Sequence, residues 1–283
     1  MKFHKIIIAT ALVLPFAIFA QVDSTATKSK SKLERAAFES TTIIESQSNV
    51  LLTKGSLEFT MNHRFGVVNS GPGSNDFFGL WAPANIRLSL SYGITDRINV
   101  GFGTAKDNRL QDFNYKVGLL RQTRDNKMPI SVTFYGNVTY DARPPEVFEH
   151  STDRWSFYNQ LIIARRFNRF LSLQIAPSIS HFNYVESPIK SDLIGIEFGG
   201  RVKVTPASAV VFDYNHPITT YEGDARKPGM ALGYEFSTGS HVFQLFITSY
   251  KGISPQYNML NNQNDFFDGK YLIGFNITRL WHL

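Results

Sequence analysis

No cysteine occurs among the 283 residues, so no disulfide cross-links this chain and no thiolate is available as a nucleophile or metal ligand. Beyond residue 20 no apolar run approaches the roughly 18 residues that a membrane-crossing helix needs, which excludes a helical-bundle membrane protein. Charge of one sign is scarce too. The formal charge of +6 falls to +4 once Lys2 and Lys5 leave with the first segment, too small an excess to argue for nucleic-acid binding. What is abundant is aromatic: 24 Phe, and 14 % aromatic residues in a chain that is 43 % hydrophobic.

The first segment has the pattern of an export signal. Lys2, His4 and Lys5 precede an apolar run from Ile6 to Phe19, and Ala20 offers a cleavage position before Gln21. Residues 1–20 are therefore expected to be a signal peptide, cleaved on export. Residues 21–54 are rich in Ser, Thr and Lys, with a short apolar patch at Ile43 and Ile44. Two readings stay open for this stretch: a periplasmic segment, or a plug that enters a lumen.

From Gly55 the pattern changes to a period of two. Leu57, Phe59, Met61 and Phe65 fall on one face, and Glu58, Thr60, Asn62 and Arg64 on the other, which is strand periodicity. The rhythm predicts twelve strands, at 55–66, 86–94, 98–104, 112–122, 130–140, 155–167, 170–181, 192–204, 208–216, 228–236, 241–250 and 269–280. The links between them alternate in length. Long ones follow the first, fifth, seventh, ninth and eleventh strands, and tight turns such as Thr95–Arg97, Asn168–Arg169 and Thr205–Ala207 occupy the opposite parity. Alternating long loops and short turns belong to an up-and-down barrel of the outer-membrane type. The fold class expected is thus an all-β, transmembrane, antiparallel up-and-down β-barrel of about twelve strands over residues 55–283, in the cell outer membrane. Closure is obligatory for such a sheet, because each unpaired backbone group in hydrocarbon costs several kcal/mol.

The last segment, with Tyr271, Ile273, Phe275 and Ile277 on one face and a close at Trp281, looks like the terminal strand that outer-membrane assembly machinery reads. More specifically, His63-Arg64-Phe65-Gly66, Gly93-Ile94-Thr95-Asp96-Arg97, Leu161-Ile162-Ile163-Ala164-Arg165-Arg166-Phe167, His241-Val242-Phe243-Gln244-Leu245 and Gly274-Phe275-Asn276-Ile277-Thr278-Arg279 resemble a Gram-negative outer-membrane β-barrel family known only as a domain of unknown function. The resemblance runs from about Ala37 to the C-terminus. It implies fold and location, and it brings no activity, ligand or cofactor to transfer.

For chemistry, the residues offer little toward catalysis. His63, His181, His216 and His241 are scattered at strand ends without a nucleophile and an orienting group in sequence reach, so no enzyme, cofactor or metal site is expected. Asn261, Asn262, Asn264, Asp265 and Asp268 crowd one loop, but their spacing is not that of an EF-hand. The lumen carries the candidate functional residues. By parity it receives Glu58, Arg64, Arg87, Lys116, Glu197, Arg201, Asp213 and Glu235, together with Gly101, Gly103, Gly118, Gly195, Gly199, Gly233 and Gly274. Either the charges pair and fill the interior, or the glycines leave a narrow aqueous path whose selectivity the arginines set. Phe77, Phe78, Leu80 and Trp81, clustered in the first long loop, are candidates for holding a partner protein. Arg97, Arg121, Arg124, Lys127, Arg165, Arg166, Arg169, Lys203 and Arg279 all lie at the short-turn ends, where they meet either anionic lipid headgroups of the bilayer or solvent. The function expected is a narrow passive channel for small hydrophilic solutes. The alternative is a non-conducting accessory or scaffold subunit of an outer-membrane complex.

Overall fold

A computed structural model describes residues 31–69 and 76–283; the expected signal peptide lies outside them. A small hairpin comes first, β1 (Thr42–Ile43) and β2 (Ser46–Gln47). Twelve longer strands follow: β3 (Ser56–Val67), β4 (Asn85–Thr95), β5 (Ile98–Ala105), β6 (Leu110–Leu120), β7 (Ser131–Asp141), β8 (Trp155–Arg166), β9 (Leu171–Phe182), β10 (Asp192–Lys203), β11 (Ser208–Pro217), β12 (Gly229–Ser237), β13 (His241–Thr248) and β14 (Leu272–His282). Each pairs antiparallel with the next, and β14 closes the ring on β3. Among the described residues no helix is long and apolar enough to cross a membrane.

The alternation read from the sequence is what the ring is built on. Along β3 the burial alternates without a break, with Glu58, Thr60, Asn62 and Arg64 inside. Outside, Leu88, Leu90, Phe102, Phe113, Ile194, Phe198, Leu232 and Leu245 are all exposed. Such a continuous apolar belt is far larger than the patch of a few hundred Å² that a soluble monomer shows. An 11-residue strand such as β4 is about 36 Å long at about 3.3 Å per residue. Tilted by about 45° it covers about 25 Å, the height of a barrel's apolar band.

The strands differ from the sequence boundaries most at the end of the chain. The eleventh stops at Thr248 and the twelfth begins only at Leu272. The reason is that the intervening chain turns inward: Tyr250, which the pattern had placed at an interface, is buried, and Pro255–Asn261 form helix α1.

Candidate functional site

The N-terminal segment lies within the barrel. It starts at the short-turn rim, where Leu33 bridges Thr123 and Glu34 N donates to Gln122 O at 2.9 Å. It returns to the same rim, where Lys54 N donates to Asp96 Oδ1 at 2.9 Å. Between these points it forms the β1–β2 hairpin, with Ile44 in the left-handed region at its turn (φ 52°). The apolar patch has a plain reason to be there: Phe38, Ile43 and Ile44 pack with the inward Val211, Ala231 and Phe246, away from water.

Two-residue strands cannot satisfy their own backbone, so polar side chains of the wall do it instead. Asp213 Oδ2 accepts from Glu45 N at 2.8 Å and from Ser46 N at 3.3 Å. Asn276 Nδ2 donates to Ile44 O at 2.8 Å, and Gln174 Nε2 to Gln47 O at 2.7 Å. Lys116 Nζ donates to Thr41 O at 2.6 Å and Ser48 O at 2.9 Å, and the Asn99 amide both donates to and accepts from the backbone of Leu52.

The eight charged candidates all point into this interior, and the structure sorts them. Arg201 pairs with Glu235 at 2.7 Å and reaches Glu39 of the plug at 3.5 Å. Arg64, fully buried, pairs with Glu45 of the plug and lies over the Phe246 ring at 4.4 Å. Glu58 accepts from Thr41 Oγ1 at 2.5 Å. Glu197 accepts from Tyr158, Gln160 and Asn215 on the wall. Arg87 is held by Asp112, with both contacts at 2.8 Å. Asp112 and Glu45 were missing from the sequence-derived set. Asp112 shares the parity of Lys116 on β6, so the alternation held the signal, whereas Glu45 lies in a stretch without periodicity.

The lumen-facing glycines do not leave an open water path. Gly118, Gly195, Gly199 and Gly233 make room for side chains of the N-terminal segment or of α1, whereas Gly101, Gly103 and Gly274 lie against wall side chains such as Asn114, Arg87 and Phe246. A Cβ on Gly199 would come within 2.9 Å of Ile43 Cδ1, one on Gly195 within 2.9 Å of Met259 Cε, and one on Gly233 within 3.3 Å of Ile44 Cδ1. Gly118 similarly receives Leu51.

Helix α1 closes the other end. Gln256 Nε2 donates to Asn137 Oδ1 at 2.8 Å and Thr139 Oγ1 at 2.7 Å, and Met259 packs against Tyr135, Tyr158 and Ile162. Half of the last long loop therefore folds into the mouth rather than standing free as a partner surface. Between the hairpin and α1 a cavity of about 30 Å³ remains, lined by Glu45, Arg87, Asp112 and Pro255 among others, room for one or two waters. Above it opens a vestibule of about 500 Å³ lined by Asn85, Asn108, Tyr257, Asn258, Asn261 and Asn262 among others. Burial pushes the Tyr257 phenol above its ordinary value, with the Asp141 carboxylate adding to it. In the adjoining loop Arg226 grips Asp224 at 2.7 and 2.8 Å and holds that carboxyl below the usual carboxylate range.

The histidines do find partners. Ser56 Oγ meets His282 Nδ1 at 2.8 Å at the short-turn rim, and His181 Nδ1 meets Asp192 Oδ1 at 2.7 Å at the long-loop end. Ser240 Oγ likewise meets His241 Nδ1 at 3.2 Å at the short-turn rim, and the Tyr214 hydroxyl meets His216 Nδ1 at 3.0 Å at the long-loop end. His63 stacks on Phe275 on the outer face at 4.9 Å. Among the described residues no His, Asp and Glu group is arranged for a metal ion. Phe77, Phe78, Leu80 and Trp81 stand exposed outside the barrel, with the Phe77 and Trp81 rings stacked at 5.4 Å.

The profile of a family described as a membrane-bound β-barrel domain (DUF5777) matches residues 38–281. The chain belongs to that family. The match takes in the hairpin of the plug as well as all twelve strands, so both are parts of one DUF5777 domain. No sequence among curated proteins matches it. Among solved structures the chain is similar to the KdgM porin (6 % identity, 80 % of this chain and 99 % of that one, TM-score 0.48). It is similar also to the NanC porin (8 %, 80 % and 99 %, 0.49) and to an outer-membrane channel of Pseudomonas putida F1 (11 %, 82 % and 97 %, 0.48).

Proposed function

We propose that this DUF5777 barrel is an outer-membrane channel for small hydrophilic solutes, held shut by its own N-terminal segment. One observation carries the reading. The wall carries buried polar and charged side chains beside an apolar patch at Val211, Ala231 and Phe246, and what fills it is a short segment tethered at one rim and held by hydrogen bonds, ion pairs and that patch. Once the segment withdraws and α1 leaves the mouth, Arg64, Arg87, Lys116 and Arg201 are left facing a hydrated path, and the polar groups that bound the segment can bind water instead. The outer-membrane placement is supported by the even strand count and by the loop alternation, and the short-turn rim, where Glu34 and Leu283 are hydrogen-bonded, is then the periplasmic side. No reaction enters this reading, since among the described residues no histidine links a hydroxyl to a carboxylate in one hydrogen-bonded series.

The test is conductance in planar bilayers. The full-length protein is expected to be nearly silent, and a variant that lacks residues 32–52 and carries a Gly-Ser linker in place of residues 255–261, so that α1 no longer closes the mouth, to conduct steadily, with an ion preference that changes when Arg64, Arg87 and Arg201 are replaced by glutamine. A folded deletion protein that stays silent overturns the channel. The scaffold reading would then take its place. It has its own support in the first long loop, where Phe77, Phe78 and Trp81 are 56 %, 62 % and 74 % exposed instead of folding over the mouth; crosslinking from native membranes through that loop tests it.

A further inference from the structure

Two hollows meet on the outside of the barrel at the short-turn end of β8 and β9. The first is a groove of about 410 Å³ on the lipid face, lined by Ile163, Leu173, Ile175, Phe198 and Phe212. It is deep because Gly200 has no side chain: a Cβ there would strike the Phe212 ring, which lies down against the sheet. The second is a basin of about 390 Å³ at the rim, lined by Arg35, Arg124, Arg165, Arg166 and Arg169 against a single carboxylate, Glu34. Arg165 and Phe167 line both hollows.

The basin is short of anions. Among the described residues none of its five arginines forms an ion pair. Glu34 is turned to the backbone N–H of Arg35 at 2.8 Å. Arg166 spends its guanidinium on the carbonyls of Asn168 at 3.2 Å and Ala36 at 3.5 Å. Arg165 lies over the Phe167 ring at 5.2 Å, and its Nε is buried without a hydrogen-bond partner. Leaving a charged donor unpaired beside an apolar groove is costly, and several guanidiniums converging on one spot suit a phosphate. Of the other short turns, Thr205–Ala207 and Thr238–Ser240 contain no arginine and Thr95–Arg97 contains one, so five arginines around one hollow set this corner of the rim apart.

We propose that this corner is a binding site for an anionic glycerophospholipid, its phosphate in the arginine basin and one acyl chain along the groove. The groove fixes the source of the phosphate. It opens to the hydrocarbon around the barrel, and Arg165 is paired across the sheet with Leu173, so the cation sits where a headgroup joins its chains. With the orientation proposed above, this rim meets the periplasmic leaflet.

Native mass spectrometry of the full-length protein in detergent tests the site, with phosphatidylglycerol and phosphatidylcholine of the same acyl chains offered together. The wild type is expected to retain phosphatidylglycerol preferentially. R165Q/R166Q/R169Q should reduce that preference by about fivefold per arginine lost, and R165K/R166K/R169K should keep most of it, which separates lost charge from lost folding. Ile175→Trp, which fills the groove and leaves the basin intact, should also lower it. Equal retention of the two lipids by the wild type overturns the site. So does a preference that Ile175→Trp leaves unchanged and inorganic phosphate displaces, since the basin would then bind free phosphate rather than a lipid.

Discussion

Replacing Glu45 by alanine removes the carboxylate that faces Arg64 and leaves the guanidinium buried with neutral partners only, the carbonyl of His63 at 2.8 Å, the amide oxygen of Asn276 at 3.0 Å and the Phe246 ring. Breaking a buried ion pair by deleting one member costs about 3 to 5 kcal/mol. The remaining acceptors argue for the lower half of that range. The cost falls on the seated plug alone, because once the hairpin leaves, water reaches Arg64 and solvates it. The ratio of seated to withdrawn plug should therefore drop by about two to three orders of magnitude at 1.4 kcal/mol per tenfold. Hydrogen exchange reads this directly. The amides of Ile44, Glu45 and Ser46 donate to Gln244 and Asp213 only while the plug is seated, so their protection should fall by that factor while amides of β7 and β8 stay protected. Pairing Glu45→Ala with Arg64→Met, which removes the stranded charge, should restore much of it. Unchanged protection at residues 44–46, or an equal loss throughout the barrel, would refute the idea that this pair latches a separable plug.

Gly118→Leu places a side chain where Leu51 rests and should expose the Leu52 amide, now bonded to Asn99 at 2.9 Å, to exchange without unfolding the strands. Gln256→Ala removes the donor to Asn137 and Thr139, which keep their bond to each other at 2.8 Å; about 1 kcal/mol of the anchoring of α1 should be lost, read as faster motion of a spin label placed on Asn261. The grip of Arg226 on Asp224 lowers that carboxyl below its ordinary 3.8. The stabilisation is thus present above the ordinary value and is lost as pH falls through the lower folded value. The protection factor of the Arg226 amide, which donates to Asp224 Oδ1 at 3.0 Å, should therefore fall as pH drops below the ordinary carboxylate range, and Asp224→Asn should remove this dependence.

Most of the barrel was legible because lipid on one side and a polar lumen on the other force a strict period of two. A strand such as β9 announces both its extent and its inward face through Leu171, Leu173 and Ile175 alternating with Ser172, Gln174 and Ala176. Where the period fails, the reading failed with it. The chain after Thr248 was taken as strand because Ser249 and Tyr250 continue the composition, yet Tyr250 turns in over Gly229 and Gln256 follows into the mouth. The inward arginines were visible by parity, as was Glu235 opposite Arg201, but the partner of Arg64 was not. Arg64 answers to a residue 19 positions earlier that no strand pattern places.

Local alternation thus determined by itself that the chain makes a closed membrane sheet and which side chains face its interior, since each strand records the solvents on its two faces residue by residue. What fills the interior was decided only in three dimensions. Ile43, Ile44 and Glu45 meet β10 to β14 and β3 across sequence separations of up to about 230 residues, and the glycines that admit the two isoleucines, Gly199 and Gly233, lie on different strands. Such contacts depend on the finished bore of the barrel, a property that exists only after the last strand has paired with the first.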